Sequence, residues 1–330
     1  MSERLTLTGV GPGQRLDVRS LDGTRLNVET YGPDDAPTVL LSHGWTCSIA
    51  FWFKQVEALV ADGVRVIVHD LRGHGASGPA GPAGYTPEAL ADDLSEVLYA
   101  ALPPGRQAVL AGHSMGSMGM IAFGARHPQE LRRLISAALI TSTGMHDLAV
   151  RSRVVPLPLP LARLARPISN RLMAWSPAGD RPTRSQWQIT KYASLSRTAT
   201  AADVEFCITL INACPAPARA GFARMLTRLD LDDQVAEFDV PTIVLAGTHD
   251  RLTPIWHARR LVETLPQVVD LIEVAGAGHM TPVQSSTEVN AALGRLIQLS
   301  SAKPSGRMRA AAVDGSIDVS EIPDPAQETA

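Results

Sequence analysis

Apolar runs followed by helix-like stretches constrain this chain more than any other feature. Thr38-Val39-Leu40-Leu41 and Val64-Arg65-Val66-Ile67-Val68 are almost continuously apolar. A half-buried strand alternates between apolar and polar residues, whereas a continuous run marks a strand covered on both faces. Between these two runs, Phe51 to Asp62 reads as a helix. Thr86-Pro87-Glu88 then supplies an N-cap, a proline at the first helical position and an early acid. Leu90, Leu94, Val97, Leu98 and Ala101 follow at helical spacing. Next come an apolar run over Gln107 to Ala111, a small-residue helix to about His127 and a further run near Leu134 to Ile140. Strands and helices in alternation imply an α/β fold with a mostly parallel sheet and helices on both faces, joined by right-handed crossovers.

Two regions depart from that rhythm. Near the start, Arg15–Arg19 and Arg25–Thr30 flank an Asp22-Gly23 turn, which predicts an antiparallel hairpin. Between about Met145 and Val235 the chain is rich in Arg, Pro and Ala and shows helical fragments without a convincing buried strand. The strand pattern resumes at Pro241–Ala246 and Val268–Val274. The expected organisation is a core of residues 1–144 and 236–301, a helical cap insertion over 145–235, and a tail over 302–330 with too little apolar content to order. A cap placed there covers the C-terminal edge of the sheet, where α/β sheets bind ligands. Val154 to Leu161 alternates with prolines that forbid a regular helix, and it is read as packing onto the core.

Composition removes several classes. The net charge of −3 gives no electrostatic reason to expect nucleic acid as a partner. Cys47, Cys207 and Cys214 lack metal-ligand spacing, and their odd number argues against a disulfide framework. No stretch is long and apolar enough for a transmembrane span, and Met1–Gln14 lacks the apolar core of a secretory signal. The expected setting is cytoplasmic, with no metal and no cofactor.

The chemistry is carried by Gly112-His113-Ser114-Met115-Gly116, a G-x-S-x-G sequence placed between a strand and a helix. Such a turn holds a serine in strained geometry with its hydroxyl pushed out above the sheet, and flanking glycines let it close. A serine nucleophile needs a base, and the base needs an orienting acid. Asp250 follows the resumed strand in Gly247-Thr248-His249-Asp250-Arg251-Leu252-Thr253-Pro254, and His279 follows the last strand in Ala275-Gly276-Ala277-Gly278-His279-Met280. Parallel strands put all three loops on one side of the sheet. His249 is the rival base and Asp147 the rival acid; Asp250 fits the acid position better than its neighbour fits the base.

Together with His43-Gly44-Trp45 after the first covered strand and Asp70-Leu71-Arg72-Gly73-His74-Gly75-Ala76-Ser77 after the second, these segments resemble the α/β-hydrolase superfamily of capped esterases, lipases and perhydrolases. The likeness runs from about Asp17 to Ser300. It implies that the backbone N–H groups of Trp45 and Met115 form the oxyanion hole and that Ser114, Asp250 and His279 are catalytic. The expected function is a serine hydrolase acting on a small-molecule acyl ester through an acyl-enzyme. The cap and the aromatics Trp45, Phe51 and Trp52 favour an apolar substrate. Alternatives are a cofactor-free perhydrolase of the non-haem haloperoxidase type, a C–C bond hydrolase, or a non-catalytic binding protein on the same fold.

Overall fold

The computed structural model describes residues 10–81, 83–154 and 183–302. Eight strands form one sheet: β1 (Gln14–Arg19), β2 (Arg25–Tyr31), β3 (Thr38–Ser42), β4 (Arg65–His69), β5 (Ala108–His113), β6 (Ile135–Thr141), β7 (Thr242–Gly247) and β8 (Val268–Val274). Their spatial order is β1-β2-β4-β3-β5-β6-β7-β8. The β1–β2 and β2–β4 pairs are antiparallel and the remaining pairs parallel. The hairpin expected around Asp22-Gly23 is present, with Gly23 at φ 84° and the Thr24 amide donating to Asp22 Oδ1.

Successive residues of the central strands feed opposite cores, as continuous apolar runs require. Leu40, Ile67, Leu110, Ile140 and Val244 join one core, with Leu90, Leu94 and Leu98 of α2 (Pro87–Ala101) and Ile121 of α3 (Met115–Arg126). Val39, Leu41, Val66, Val109, Leu139 and Ile243 join the other, with Val56 and Leu59 of α1 (Phe53–Ala61). The α2 start is as expected, with Thr86 Oγ accepting the Ala89 amide and Pro87 in the first turn. A second helix, α4 (Pro128–Leu134), follows α3 with His127 as the shared boundary residue.

Between β6 and β7 the described residues form α5 (Leu148–Arg151), α6 (Arg184–Ser194), α7 (Ala201–Ala213) and α8 (Ala216–Leu226), with no β-strand. After β7 come α9 (Trp256–Thr264), then β8, α10 (Thr281–Gln284) and α11 (Ser286–Ala302). Val289, Leu293 and Leu296 of α11 close the second core. Among the described residues no helix is long and apolar enough to cross a membrane, and no acid, histidine and cysteine cluster is suited to a metal. The three cysteines are free thiols, each buried. Residues 155–161 of the proline-rich run and 303–330 of the tail lie outside the described residues.

Candidate active site

Ser114 stands between β5 and α3 with φ 51° and ψ −115°, a region that L-residues avoid. The turn is held from both sides. The Ser114 amide donates to Thr141 O at 2.9 Å, and Thr143 Oγ donates to Ser114 O at 3.0 Å. The two flanking glycines are there for space. A Cβ on Gly112 would sit 2.7 Å from the Ser117 amide nitrogen, and one on Gly116 would sit 2.3 Å from Ser42 O and 2.7 Å from His43 O. Ser114 itself is partly exposed. Strain of this kind costs stability and persists only where neighbours over-determine it.

Asp250 and His279 come together as the loop positions require. His279 Nδ1 lies 2.7 Å from Asp250 Oδ2, and both side chains are buried. Asp250 Oδ1 accepts the amides of Leu252 at 2.8 Å and Thr253 at 2.9 Å. Thr253 Oγ lies 2.8 Å from Asp250 Oδ2 and 3.1 Å from His279 Nδ1. Thr253 escaped the sequence reading. Its only signal there is position: an aspartate in a turn accepts from amides two and three residues on, and the third residue here carries a hydroxyl. The rivals do not compete. His249 is exposed beside Thr248, and Asp147 is exposed at the start of α5.

His113 ties the Ser114 turn to His279. Its Nε2 donates to the carbonyl of His279 at 3.0 Å, and the two rings meet edge-on at 4.9 Å. Burial, followed by the nearby His279, pushes the His113 pKa well below the usual histidine range. The ring is therefore neutral at pH 7.

The loop after β3 carries Trp45, and two neutral histidines shape it. Gly44 O accepts the Cys47 amide at 3.2 Å and faces His43 Nδ1 at 2.8 Å. His43 Nε2 accepts the Leu71 amide at 3.1 Å. His74 Nε2 accepts the amide of Thr46, which holds φ 63°. Both rings must be unprotonated at Nε2 to accept, and burial lowers both pKa values, that of His74 to about 4. Asp70 braces the same loop by accepting the Ile49 amide at 2.8 Å, the Ala76 amide at 2.8 Å and Asn27 Nδ2 at 2.9 Å. Trp45 is partly exposed, and its indole N–H donates to Arg219 O in α8 at 3.2 Å. Met115 opens α3, so its amide is among those without an intrahelical acceptor. One expectation needs correcting. Phe51 and Trp52 do not face a substrate, because the 3₁₀ turn Ile49–Trp52 carries both into the second core, where Phe51 packs on the His113 ring at 4.6 Å.

The helices between β6 and β7 reach each of these loops. Ser194 O accepts the amides of His279 and Met280 at 3.0 and 3.2 Å. Arg251, next to Asp250, stacks on Tyr192 of α6 at 4.3 Å and donates to its carbonyl. Chemically, a strained serine at the same sheet edge as a carboxylate-backed imidazole is an arrangement suited to nucleophilic attack with proton transfer.

Comparison with known proteins agrees with this architecture. A protein of Variovorax paradoxus that bears a carbamate hydrolase name is 29% identical over 274 residues, covering 81% of this chain and 94% of that protein. A bifunctional esterase/perhydrolase of Acinetobacter calcoaceticus is 25% identical, covering 83% and 96% respectively. Among solved structures, a thermophilic esterase from Thermogutta terrifontis superposes with TM-score 0.68 at 26% identity, covering 87% of this chain and 99% of that one. The family model described as alpha/beta hydrolase fold matches residues 37–285. On that match and this sheet topology, the chain belongs to the alpha/beta hydrolase fold family.

Proposed function

We propose that this protein is a serine hydrolase that cleaves carboxylic esters, with Ser114 as nucleophile, His279 as general base and Asp250 as the acid that orients it. The observation that carries the reading is the buried 2.7 Å Asp250–His279 hydrogen bond on loops at the same sheet edge as the strained Ser114. With Asp250 accepting from Nδ1–H, Nε2 keeps its lone pair and can take the Ser114 proton as Oγ attacks the acyl carbon. The amides of Trp45 and Met115 receive the developing oxyanion, each such donor contributing about 3–4 kcal/mol to the transition state. The alcohol leaves with a proton from His279. Water, deprotonated by the same imidazole, then releases the acid and regenerates Ser114. The helices described between β6 and β7 act as a cap that decides which acyl and alcohol groups enter, and the partly exposed Trp45 favours an apolar one.

A fluorophosphonate probe tests the reading directly. Wild type is expected to label and to hydrolyse a series of p-nitrophenyl esters, and Ser114→Ala to do neither. Equal labelling of both proteins would exclude Ser114 as nucleophile. The esterase/perhydrolase relative favours a second acceptor, hydrogen peroxide attacking the same acyl-enzyme. Peroxide-dependent bromination in acetate buffer would reveal it, and its absence would confine the acceptor to water.

A further inference from the structure

We propose that Thr253 is a positioning residue of this site, its hydroxyl fixing the Asp250 carboxylate and, through the same oxygen, the Nδ1 proton of His279. This rests on the hydrolytic reading above and extends it by one residue. The hydroxyl has one proton and two neighbours, Asp250 Oδ2 at 2.8 Å and His279 Nδ1 at 3.1 Å. An ionised carboxylate only accepts, so the proton goes to Oδ2 and a lone pair is left facing Nδ1. His279 Nδ1 thus meets two acceptors, the carboxylate and the hydroxyl oxygen. Its proton stays on Nδ1, and Nε2 is free to act as base.

The contribution is electrostatic as well as geometric. When His279 takes up a second proton, the oxygen end of the threonine dipole faces the new positive charge while the hydrogen end stays on Asp250. The surroundings are dry: Thr253, Asp250 and His279 are each at most 5% exposed, so this interaction is weakly screened. The loop holds the hydroxyl in place on both sides. The Thr253 amide is bonded to Asp250 Oδ1, and Pro254 follows, which restricts the Thr253 backbone. Pro254 O in turn accepts the His257 amide at 2.8 Å at the start of α9. The Leu252 and Thr253 amides take Oδ1, whereas the hydroxyl bonds Oδ2, the carboxylate oxygen that meets His279.

Thr253→Val keeps the shape and the backbone amide and deletes only the hydroxyl; Thr253→Ser keeps the hydroxyl. Thr253→Val is expected to melt within a few degrees of wild type and to lose about tenfold to a hundredfold in kcat with KM little changed. Proton NMR at neutral pH should show the downfield Nδ1–H resonance of His279 displaced in Thr253→Val, and Thr253→Ser should restore both the resonance and kcat. An unmoved Nδ1–H resonance in Thr253→Val would overturn the proposal, whether kcat fell or not. Should the valine variant not fold, Thr253→Ala, which introduces no new bulk, is read in the same way. The NMR measurement needs no turnover. Failure of wild type to label with fluorophosphonate would therefore sink the hydrolase reading while leaving the Thr253 interaction to be decided separately.

Discussion

His69 ends β4 between Val28 and Ser42 of the neighbouring strands, 1% exposed, with no partner at either ring nitrogen. Burial alone lowers its pKa from 6.5 to about 4. The folded value is depressed, so between these pH values the unfolded chain binds the proton and the folded chain does not. Stability from this residue is complete above pH 6.5 and is lost as pH falls toward 4. The loss is about 2 kcal/mol near pH 5 and about 3 kcal/mol below pH 4, at 1.36 kcal/mol per pKa unit. His69→Phe keeps a ring of similar size, sacrifices no hydrogen bond and cannot titrate. Urea unfolding followed by tryptophan fluorescence should find the variant equal to wild type or slightly more stable near pH 8, because an unsatisfied buried polar group has been removed. Near pH 5 the variant should lead by about 2 kcal/mol more than at pH 8. A difference that stays constant from pH 8 to 5 would refute the reasoning and show that His69 binds its proton equally in both states.

Asp250→Asn should lower kcat by about four orders of magnitude while Asp147→Ala leaves it nearly unchanged, because only Asp250 meets His279; steady-state ester hydrolysis separates them. Arg72 is buried and bonds both carboxylate oxygens of Asp93, at 2.7 and 2.6 Å. Arg72→Met strands that carboxylate and should cost about 3–5 kcal/mol in urea unfolding at neutral pH. Gly116→Ala drives a methyl against the backbone oxygens of Ser42 and His43; it should cost about 1–3 kcal/mol and reduce ester turnover far more than Gly294→Ala, where a methyl meets nothing.

The sequence was legible wherever one residue's environment is set by its neighbours in the chain. Val39, Leu40 and Leu41 announce a strand with two cores, Thr86 and Pro87 announce a helix start, and Asp22-Gly23 announces a hairpin. The order of the Ser114, Asp250 and His279 loops could be read because parallel strands bring their ends to one edge. Thr253 could not be read as a partner of His279, since that contact depends on how β7 and β8 lie side by side. Phe51 and Trp52 were misread for a related reason. Their place beside Trp45 in sequence says nothing about a 3₁₀ turn that rotates them inward. The boundary at His127 hid α4, because Pro128 both ends one helix and begins another that is only seven residues long.

The insertion between β6 and β7 divides the site by order of synthesis. Ser114 and its turn belong to the part of the chain made first, whereas Asp250 and His279 lie on loops after β7 and β8, made last. Strand β7 pairs with β6 only after the intervening helices have been translated, and β8 must then add beside β7. On the proposed reading, a nascent chain carries Ser114 without its base until residue 279 has been made, after the helices between β6 and β7. On that reading, products of this chain that end before His279 would lack hydrolytic activity.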